Sequence, residues 1–511
     1  MIGFLKAGSV GEGFVVRLNK FVSPETLRIG DFVVIQGKIY QYFGIIDDLR
    51  IMSANEDVFF DPPDSDFKKA VLTGPIVFSE MSLSPYVMVD NSGNVLSIKT
   101  IPEHFSIARK ATGEDLETVF MKKASIPFFV GNPLTMEEKI HVDLKKLCER
   151  NSAIFGITGS GKTFLARIVF SGIVKNDVAS LLVFDMHNEY GFTAKSGEKR
   201  FPALKSFFPG KVKVFDVGTN PGADNYINIP LNHIKPQDLS LLSSSLHYSD
   251  KSEETAFLVY KRKGKNWLKY LFSLQGKSEE EVAKEAENIG VNASSLSAFL
   301  RHISRLSSLK FLRDTDEESS IEQMLDYLKS GVSVVVQFSG RYASDSLSYF
   351  IVANAITRRI HEKYSGLTEE EREKRRIVIV IEEAHKFLSS DLRDRNIFGT
   401  IAREMRKFNV TLFIIDQRPC EIDSEVLSQV GTRFVLQLLD ERDTDAVFQG
   451  VGGGKRLKKI LRTLQSQETL LFGHTVPMPV AMRVREYGKD FFDEVQEKKE
   501  DPLKGINDIY G

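Results

Sequence analysis

The sequence predicts a mixed α/β protein: a small β-barrel, then a doubly wound α/β core that carries a helical insertion. Three observations lead there. In the first ~100 residues, "GFVVRL", "DFVVIQGKIYQYFGII", "GPIVFSEM" and "GNVLSIKTI" are short β-rich runs separated by Gly, Pro, Asn and Asp. No helical periodicity interrupts them before "GEDLETVFMKKA". From Val142 onward, apolar strand runs alternate with amphipathic helices; the strands are "SAIFGI", "SLLVFDM", "VKVFDV", "VSVVVQFS", "IVIVIEEA", "VTLFIID" and "TRFVLQLL". Between about Pro230 and Ser330, "DLSLLSSSL", "NWLKYLFSL" and "SSLSAFLRHISRL" keep helical spacing with almost no strand signal, which reads as the insertion. The expected organisation is 1–135 for barrel and linker, 136–488 for the core with its insertion at about 230–330, and 489–511 for a terminal helix and tail.

A chain of 511 residues exceeds one ordinary core. Its 42% hydrophobic and 27% charged residues are ordinary for a soluble protein, and no apolar run approaches the ~18–20 residues that span a bilayer. No signal core opens the chain, so a cytoplasmic protein with no membrane partner is expected. Cys148 and Cys420 stand far apart, which fits a reducing interior and excludes a cysteine zinc site. Net charge is −1, so no global basic field marks a nucleic-acid partner, although an enclosed channel can concentrate positive charge. The runs "KRKGK" (261–265), "EKRR" (373–376) and "KRLKK" (455–459) read as solvated helix faces or loops, and "GVGGGK" (450–455) as a loop.

The first functional signal is Gly156-Ile-Thr-Gly159-Ser160-Gly161-Lys162-Thr163, which fits G-x-x-x-x-G-K-[ST] between a strand and a helix. Glycines let backbone N–H groups turn inward around phosphates, and the following helix adds the positive end of its dipole. Lys162 is placed to bridge the β- and γ-phosphates and Thr163 to hold Mg²⁺. This is a nucleoside triphosphate site.

The second half is "RRIVIVIEEAHKF" (375–387), an apolar strand ending in two carboxylates at the carboxyl edge of the sheet. Glu382 is expected to hold the metal through its water shell, and Glu383 to polarise the attacking water. "SLLVFDMHNEYG" (180–191) brings Asp185 and Glu189 to the same edge, and "VTLFIIDQRP" (410–419) brings Gln417, a group able to report the γ-phosphate. No N-K-x-D element for guanine is present, so ATP hydrolysis is expected. In "RNIFGTIAREMRKFNV" (395–410), helical spacing buries Ile397, Phe398, Ile401, Met405 and Phe408 and leaves Arg403 and Arg406 together on the opposite face. In a ring, such arginines can reach a neighbour's ATP, and Arg150 is a further candidate.

The set "ERNSAIFGITGSGKT", "FDMHNEYG", "VIVIEEAH", "AREMRKFNV", "DQRPCEID" and "LLFGHTVPMPVAMRVR", in this order, resembles HerA-type hexameric DNA translocases, relatives of FtsK-like DNA pumps. The resemblance implies a RecA-like P-loop ATPase core and a homo-hexameric ring that threads double-stranded DNA. It also implies that the barrel docks a NurA-type nuclease, in DNA-end resection. Among residues, it implies nucleotide contacts from Arg150, Phe164, Asp185, Glu189, Gly473 and His474 beside the loop. The family more often shows Gly where Asn188 stands and Ser where Asp416 stands. Two other classes share parts of this pattern: a protein-secretion or conjugation ATPase with the same motor core, and a nucleotide-gated scaffold. Residues 1 to about 100 carry no catalytic constellation, so their removal is expected to leave an ATPase core.

Overall fold

The computed structural model describes residues 1–55, 63–122, 124–196, 199–240, 250–315, 319–343, 345–392 and 397–496. Residues 241–246 of the expected helical run "DLSLLSSSL", the first two residues of 395–410 and the tail from 497 lie outside them. Two compact units emerge. The first comprises Met1–Leu147, Ala153–Leu165 and Gly431–Arg485; the second comprises Cys148–Ser152, Ala166–Val430 and the described residues from Glu486. These units cut across the boundary at 135/136 drawn from the sequence.

In the first unit, six antiparallel strands close a barrel in the order Gly13–Leu18, Gly3–Ser9, Ile107–Lys110, Phe32–Gln36, Tyr40–Ser53, Val77–Asp90. Closure runs from Phe14 opposite Leu83 to Arg17 opposite Glu80. Phe14, Val16, Val33, Ile35, Ile46 and Met81 fill the interior, the inward half of alternating strands. One helix was not expected here. Asp66–Leu72 starts where the Ser65 side chain accepts from the Lys68 backbone N–H, and its seven residues, "DFKKAVL", are too short a run to announce it by periodicity.

The same unit holds the antiparallel strands Val430–Val435, Glu468–Gly473, Val480–Val484, Pro127–Pro133 and Ile140–Asp143, in that order. The helix Gly454–Leu461 corrects the reading of "KRLKK" as solvated. Arg456 donates to the Ser84 hydroxyl at 3.1 Å and to the Glu12 carbonyl and sits 3.5 Å from Asp47, while Lys459 reaches Asp48 at 3.1 Å. Only Gly450 to Gly453 of "GVGGGK" remain loop. Deleting the barrel would therefore strip this helix of its partners, so the truncation does not cleanly isolate a core.

The second unit is built on a parallel sheet in the order Asn225–Tyr226, Val212–Asp216, Ser333–Gln337, Ser180–Asp185, Ile377–Glu382, Val410–Asp416. Helices cover both faces, which is why Leu181–Phe184 and Ile377–Ile381 read as unbroken apolar runs and are buried. Each of the three adjacent strands Ser180–Asp185, Ile377–Glu382 and Val410–Asp416 ends in a carboxylate. Arg375 of "EKRR" is not solvated either: it pairs with Asp177 at 2.8 Å and donates to the Ser180 hydroxyl at 2.8 Å. Among the described residues between Leu231 and Lys329, helices predominate, namely Pro236–Ser240, Asp250–Lys263, Trp267–Leu274, Glu279–Ile289, Ala293–His302 and Ser320–Lys329.

A buried ion pair ties this stretch to the helix Ser346–Ser365. Arg358 donates to both oxygens of Asp238 at 2.9 and 2.8 Å, and Asn354 adds a third bond at 2.8 Å. Asp238 has no solvent exposure. Arg358→Leu is expected to cost about 3–5 kcal/mol in a urea titration, because it leaves a buried carboxylate without its cation; a loss under about 1 kcal/mol would show that Asp238 is satisfied by its other bonds. No helix among the described residues is long and apolar enough to cross a membrane.

Candidate active site

The phosphate loop belongs to the first unit. It leaves the strand Asn151–Phe155 at Gly156, where a Cβ would stand 2.7 Å from the Ser160 hydroxyl and 2.9 Å from the Leu436 Cβ. Gly159 and Gly161 have φ of +80° and +107°, conformations that side chains rarely adopt. The Gln467 N–H donates to the Ser160 carbonyl at 3.0 Å and the Ser466 hydroxyl to the Gly159 carbonyl at 3.4 Å, bracing the loop from behind. Ser160 is buried, its hydroxyl donating to the Ile157 carbonyl at 2.8 Å. The Lys162 ammonium donates to the carbonyls of Gly156 at 2.8 Å and Ile157 at 3.0 Å, so the cation lies within the curve of its own loop. The helix Lys162–Lys175 starts here, with Thr163 and Phe164 half-buried in its first turn. Residues and conformation fit a triphosphate.

Gly473 and His474 lie in the same unit. Gly473 has φ of +115°, a Cβ there would run into the Gly431 carbonyl, and the His474 N–H donates to that carbonyl at 2.8 Å. A close approach of two strand ends thus accounts for the glycine.

The acidic groups belong to the second unit. Asp185 is fully buried and accepts from the backbone N–H of Glu189 at 2.7 Å, Tyr190 at 2.8 Å and Gly191 at 3.1 Å. Asn188 takes the left-handed conformation at φ +59° that this turn requires, a position Asn tolerates without glycine. Its side chain donates to the Phe338 carbonyl at 2.8 Å. Arg167 donates through Nε to the Glu189 carbonyl at 2.8 Å.

The turn delivers the Tyr190 hydroxyl to Glu382 Oε1 at 3.2 Å. Glu382 is buried, and its Oε2 has no hydrogen-bond partner among the described residues. Burial, then the charges of Asp185 and Glu189, push the Glu382 carboxyl well above the usual carboxylate range. Burial likewise pushes Asp185 up to about 6, against its three backbone bonds. A buried carboxyl with an orphan oxygen, as at Glu382, is unfavourable without a partner. A divalent ion, or a water bound to one, would supply the missing partner and reverse the shift, so Glu382 fits one through its water shell, while no group of three or more His, Cys, Asp or Glu among the described residues is arranged to hold an ion by itself. Tyr349 fixes the backbone here by donating to the Glu382 carbonyl at 3.1 Å.

Glu383 turns away from the strand with φ +49°, unusual for a glutamate. Gln417 Nε2 donates to its two oxygens at 3.2 and 3.4 Å, and His385 Nε2 stands 3.8 Å from Oε2. Thus Asp185, Glu189 and Glu382 gather in one cluster, and Glu383 with Gln417 in a second around the same strand end.

The arginine helix departs from expectation. The α-helix Ile397–Glu404 gives way to a 3₁₀ turn, Met405–Phe408, which ends at Asn409 with φ +59°. The tighter turn changes the side-chain directions. Arg403 is half-buried and Arg406 exposed, and Ile397 and Phe408 are only partly covered. Phe408 has the Arg372 guanidinium 4.4 Å above its ring. Arg150 is exposed just ahead of the strand Asn151–Phe155.

Sequence reasoning missed Tyr190, Tyr349, His385 and Asp416. Tyr190, His385 and Asp416 sat within or beside motifs already singled out, and Asp416 repeats the acid-at-strand-end signal of Asp185 and Glu382. Tyr349, inside the helix Ser346–Ser365, carries no such signal.

Residues 128–360 match the family described as Helicase HerA, central domain. The DNA double-strand break repair helicase HerA of Sulfolobus acidocaldarius is 26% identical over 392 residues, covering 74% of this chain and 72% of that protein. That of Pyrococcus furiosus is 23% identical over 389 residues, covering 68% and 67%. Among solved structures, VirB4 of Thermoanaerobacter pseudethanolicus is similar with a TM-score of 0.46 and 17% identity, over 71% of this chain and 98% of the other.

Proposed function

We propose that this chain is a HerA-type P-loop ATPase that hydrolyses ATP with Mg²⁺ to drive movement along, or unwinding of, double-stranded DNA. In the same reading it works as a cytoplasmic homo-hexamer with a NurA-type nuclease in DNA-end resection. The observation that carries the hydrolytic half is the orphan Oε2 of buried Glu382 beside Glu383, an arrangement suited to a hydrated cation and a water-polarising carboxylate. The DNA half rests on relatives that are named DNA double-strand break repair helicases.

The residues divide the work. Lys162 leaves its loop carbonyls to bridge the β- and γ-phosphates, and the backbone of Gly156, Gly159, Ser160 and Gly161 surrounds them. Thr163 and Glu382 would hold Mg²⁺, directly and through water. When bound, the ion neutralises phosphate charge. Glu383 polarises the attacking water, Gln417 reads the γ-phosphate, and Arg406, with Arg403 and Arg150 in reserve, neutralises transition-state charge at a neighbouring subunit's nucleotide. Phe164, Asp185, Glu189, Gly473 and His474 shape the surroundings.

The test is ATP turnover with and without linear duplex DNA. Linear duplex is expected to raise the rate several-fold over basal, and single strands less. Basal hydrolysis that no form of DNA changes would move the chain to another class of translocated substrate, such as protein.

A further inference from the structure

The strand ends carrying Glu383 and Gln417 are joined by a closed ring of polar contacts. Asp416, at the end of the strand Val410–Asp416, accepts from the backbone N–H of His385 at 2.7 Å and of Arg418 at 2.6 Å. His385 Nδ1 lies 3.0 and 3.1 Å from the two Asp416 oxygens. The far side of the imidazole, Nε2, faces Glu383 Oε2 at 3.8 Å, and Gln417 closes the ring by donating to Glu383. Glu383 is flanked on two sides, by the Gln417 amide at hydrogen-bond distance and by the imidazole 3.8 Å away, and both neighbours trace back to Asp416, one through the next peptide bond and one through its contact with the imidazole.

The arrangement fixes more than position. An imidazole whose Nδ1 faces a carboxylate presents its N–H there. Burial would lower the His385 pKa, but the Asp416 hydrogen bond and charge, then the charges of Glu383 and Glu421, outweigh it and raise it. That favours a second N–H on Nε2, directed at Glu383. The need for a second holder is mechanical. If the Gln417 amide turns to a γ-phosphate, Glu383 loses one restraint while its backbone stays in a left-handed conformation on a loop, and its side chain regains rotamer freedom.

We propose that His385, oriented by Asp416, is a positioning residue for Glu383: it keeps that carboxylate aimed while Gln417 engages the nucleotide. The inference rests on the reading of this chain as an ATPase with Glu383 as the water-polarising group.

The experiment measures single-turnover ATP hydrolysis and the equilibrium affinity for a fluorescent ADP in wild type, His385→Leu, His385→Gln, Asp416→Asn, Glu383→Gln and the double variant His385→Leu/Glu383→Gln. His385→Leu is expected to lower the rate ~10- to 100-fold, a positioning effect, with ADP affinity within about twofold. His385→Gln keeps an N–H able to donate toward Glu383 and should recover part of the loss, and Asp416→Asn should fall between. In the Glu383→Gln background, His385→Leu should cost less than about twofold more, because the group it positions is gone. An unchanged rate in His385→Leu, or losses that multiply in the double variant, overturns the proposal. Should His385→Leu lose ADP binding through misfolding, Asp416→Asn and its double with Glu383→Gln decide instead: an unchanged rate in Asp416→Asn, or losses that multiply in that double variant, overturns the proposal. A wild-type chain without hydrolysis overturns the ATPase reading itself, a result seen before any variant is compared.

Discussion

Glu383→Gln should slow ATP hydrolysis by ~10²- to 10⁴-fold while leaving nucleotide affinity within about twofold. The change is nearly isosteric. Gln fits the backbone at φ +49° as well as Glu does, and its side chain can still meet the Gln417 amide, so the loop stays where it is. What disappears is the negative oxygen that draws a proton from water, an interaction realised in the transition state and not in the bound ground state. Lys162→Ala contrasts with it. The ammonium that now sits 2.8 Å from the Gly156 carbonyl is the phosphate loop's own cation, so its loss should weaken ATP binding and turnover together. Single-turnover rates beside equilibrium binding of a fluorescent ATP analogue separate the two patterns. Normal turnover in Glu383→Gln would remove that residue from the chemistry.

The strand ends were readable because of how parallel sheets are buried. A strand covered on both faces is an apolar run, and the first polar residue after it marks the carboxyl edge, so Asp185 and Glu382 could be placed there from sequence, and Gln417 one residue past the strand that ends at Asp416. The phosphate loop was readable for a similar reason, since its glycines answer local backbone demands, φ +80° at Gly159 and +107° at Gly161. What escaped depends on distant partners. "KRLKK" looks solvated because its own helix, Gly454–Leu461, holds no carboxylate, yet Lys459 meets Asp48 across 411 positions. Tyr349 reaches the Glu382 carbonyl from inside a helix whose periodicity shows only that it is buried. The antiparallel strands Pro127–Pro133, which holds Gly and Pro, and Ile140–Asp143, four residues long, follow one another with no helix between them, so alternation with helices, the signal that found the others, does not include them. Spacing at i, i+3 and i+4 also cannot reveal that a helix tightens at Met405, beyond which Phe408, expected in the core, is only partly covered.

That tightening bears on the last expected result, which is that Arg406→Ala abolishes turnover when alone and is complemented in mixed rings. Arg403 is half-buried against its own subunit, whereas Arg406 is carried outward by the 3₁₀ turn, so of the two it is the one presented for a contact outside the chain. The turn is anchored on both sides. Met405 is buried, the Asn409 N–H donates to the Arg406 carbonyl at 3.1 Å, and the Asn409 side chain donates to the Arg372 carbonyl at 2.9 Å. An arginine held on a fixed turn loses less conformational freedom on reaching a neighbour's γ-phosphate than one on a mobile loop. Neutralising transition-state charge in this way is worth ~10³ to 10⁵ in rate. The experiment dissociates Arg406→Ala and Glu383→Gln proteins, each inactive, and reassembles them together. If Arg406 serves the neighbour's site, some interfaces in mixed rings pair an intact Glu383 with an intact Arg406, and at equal mixing about a quarter of the interfaces should regain function. If Arg406 instead serves its own subunit, every Glu383→Gln subunit still lacks its base and every Arg406→Ala subunit its cation, so no mixture recovers. Full activity of Arg406→Ala alone, or silence in rings verified to contain both variants, would remove the trans assignment from this residue.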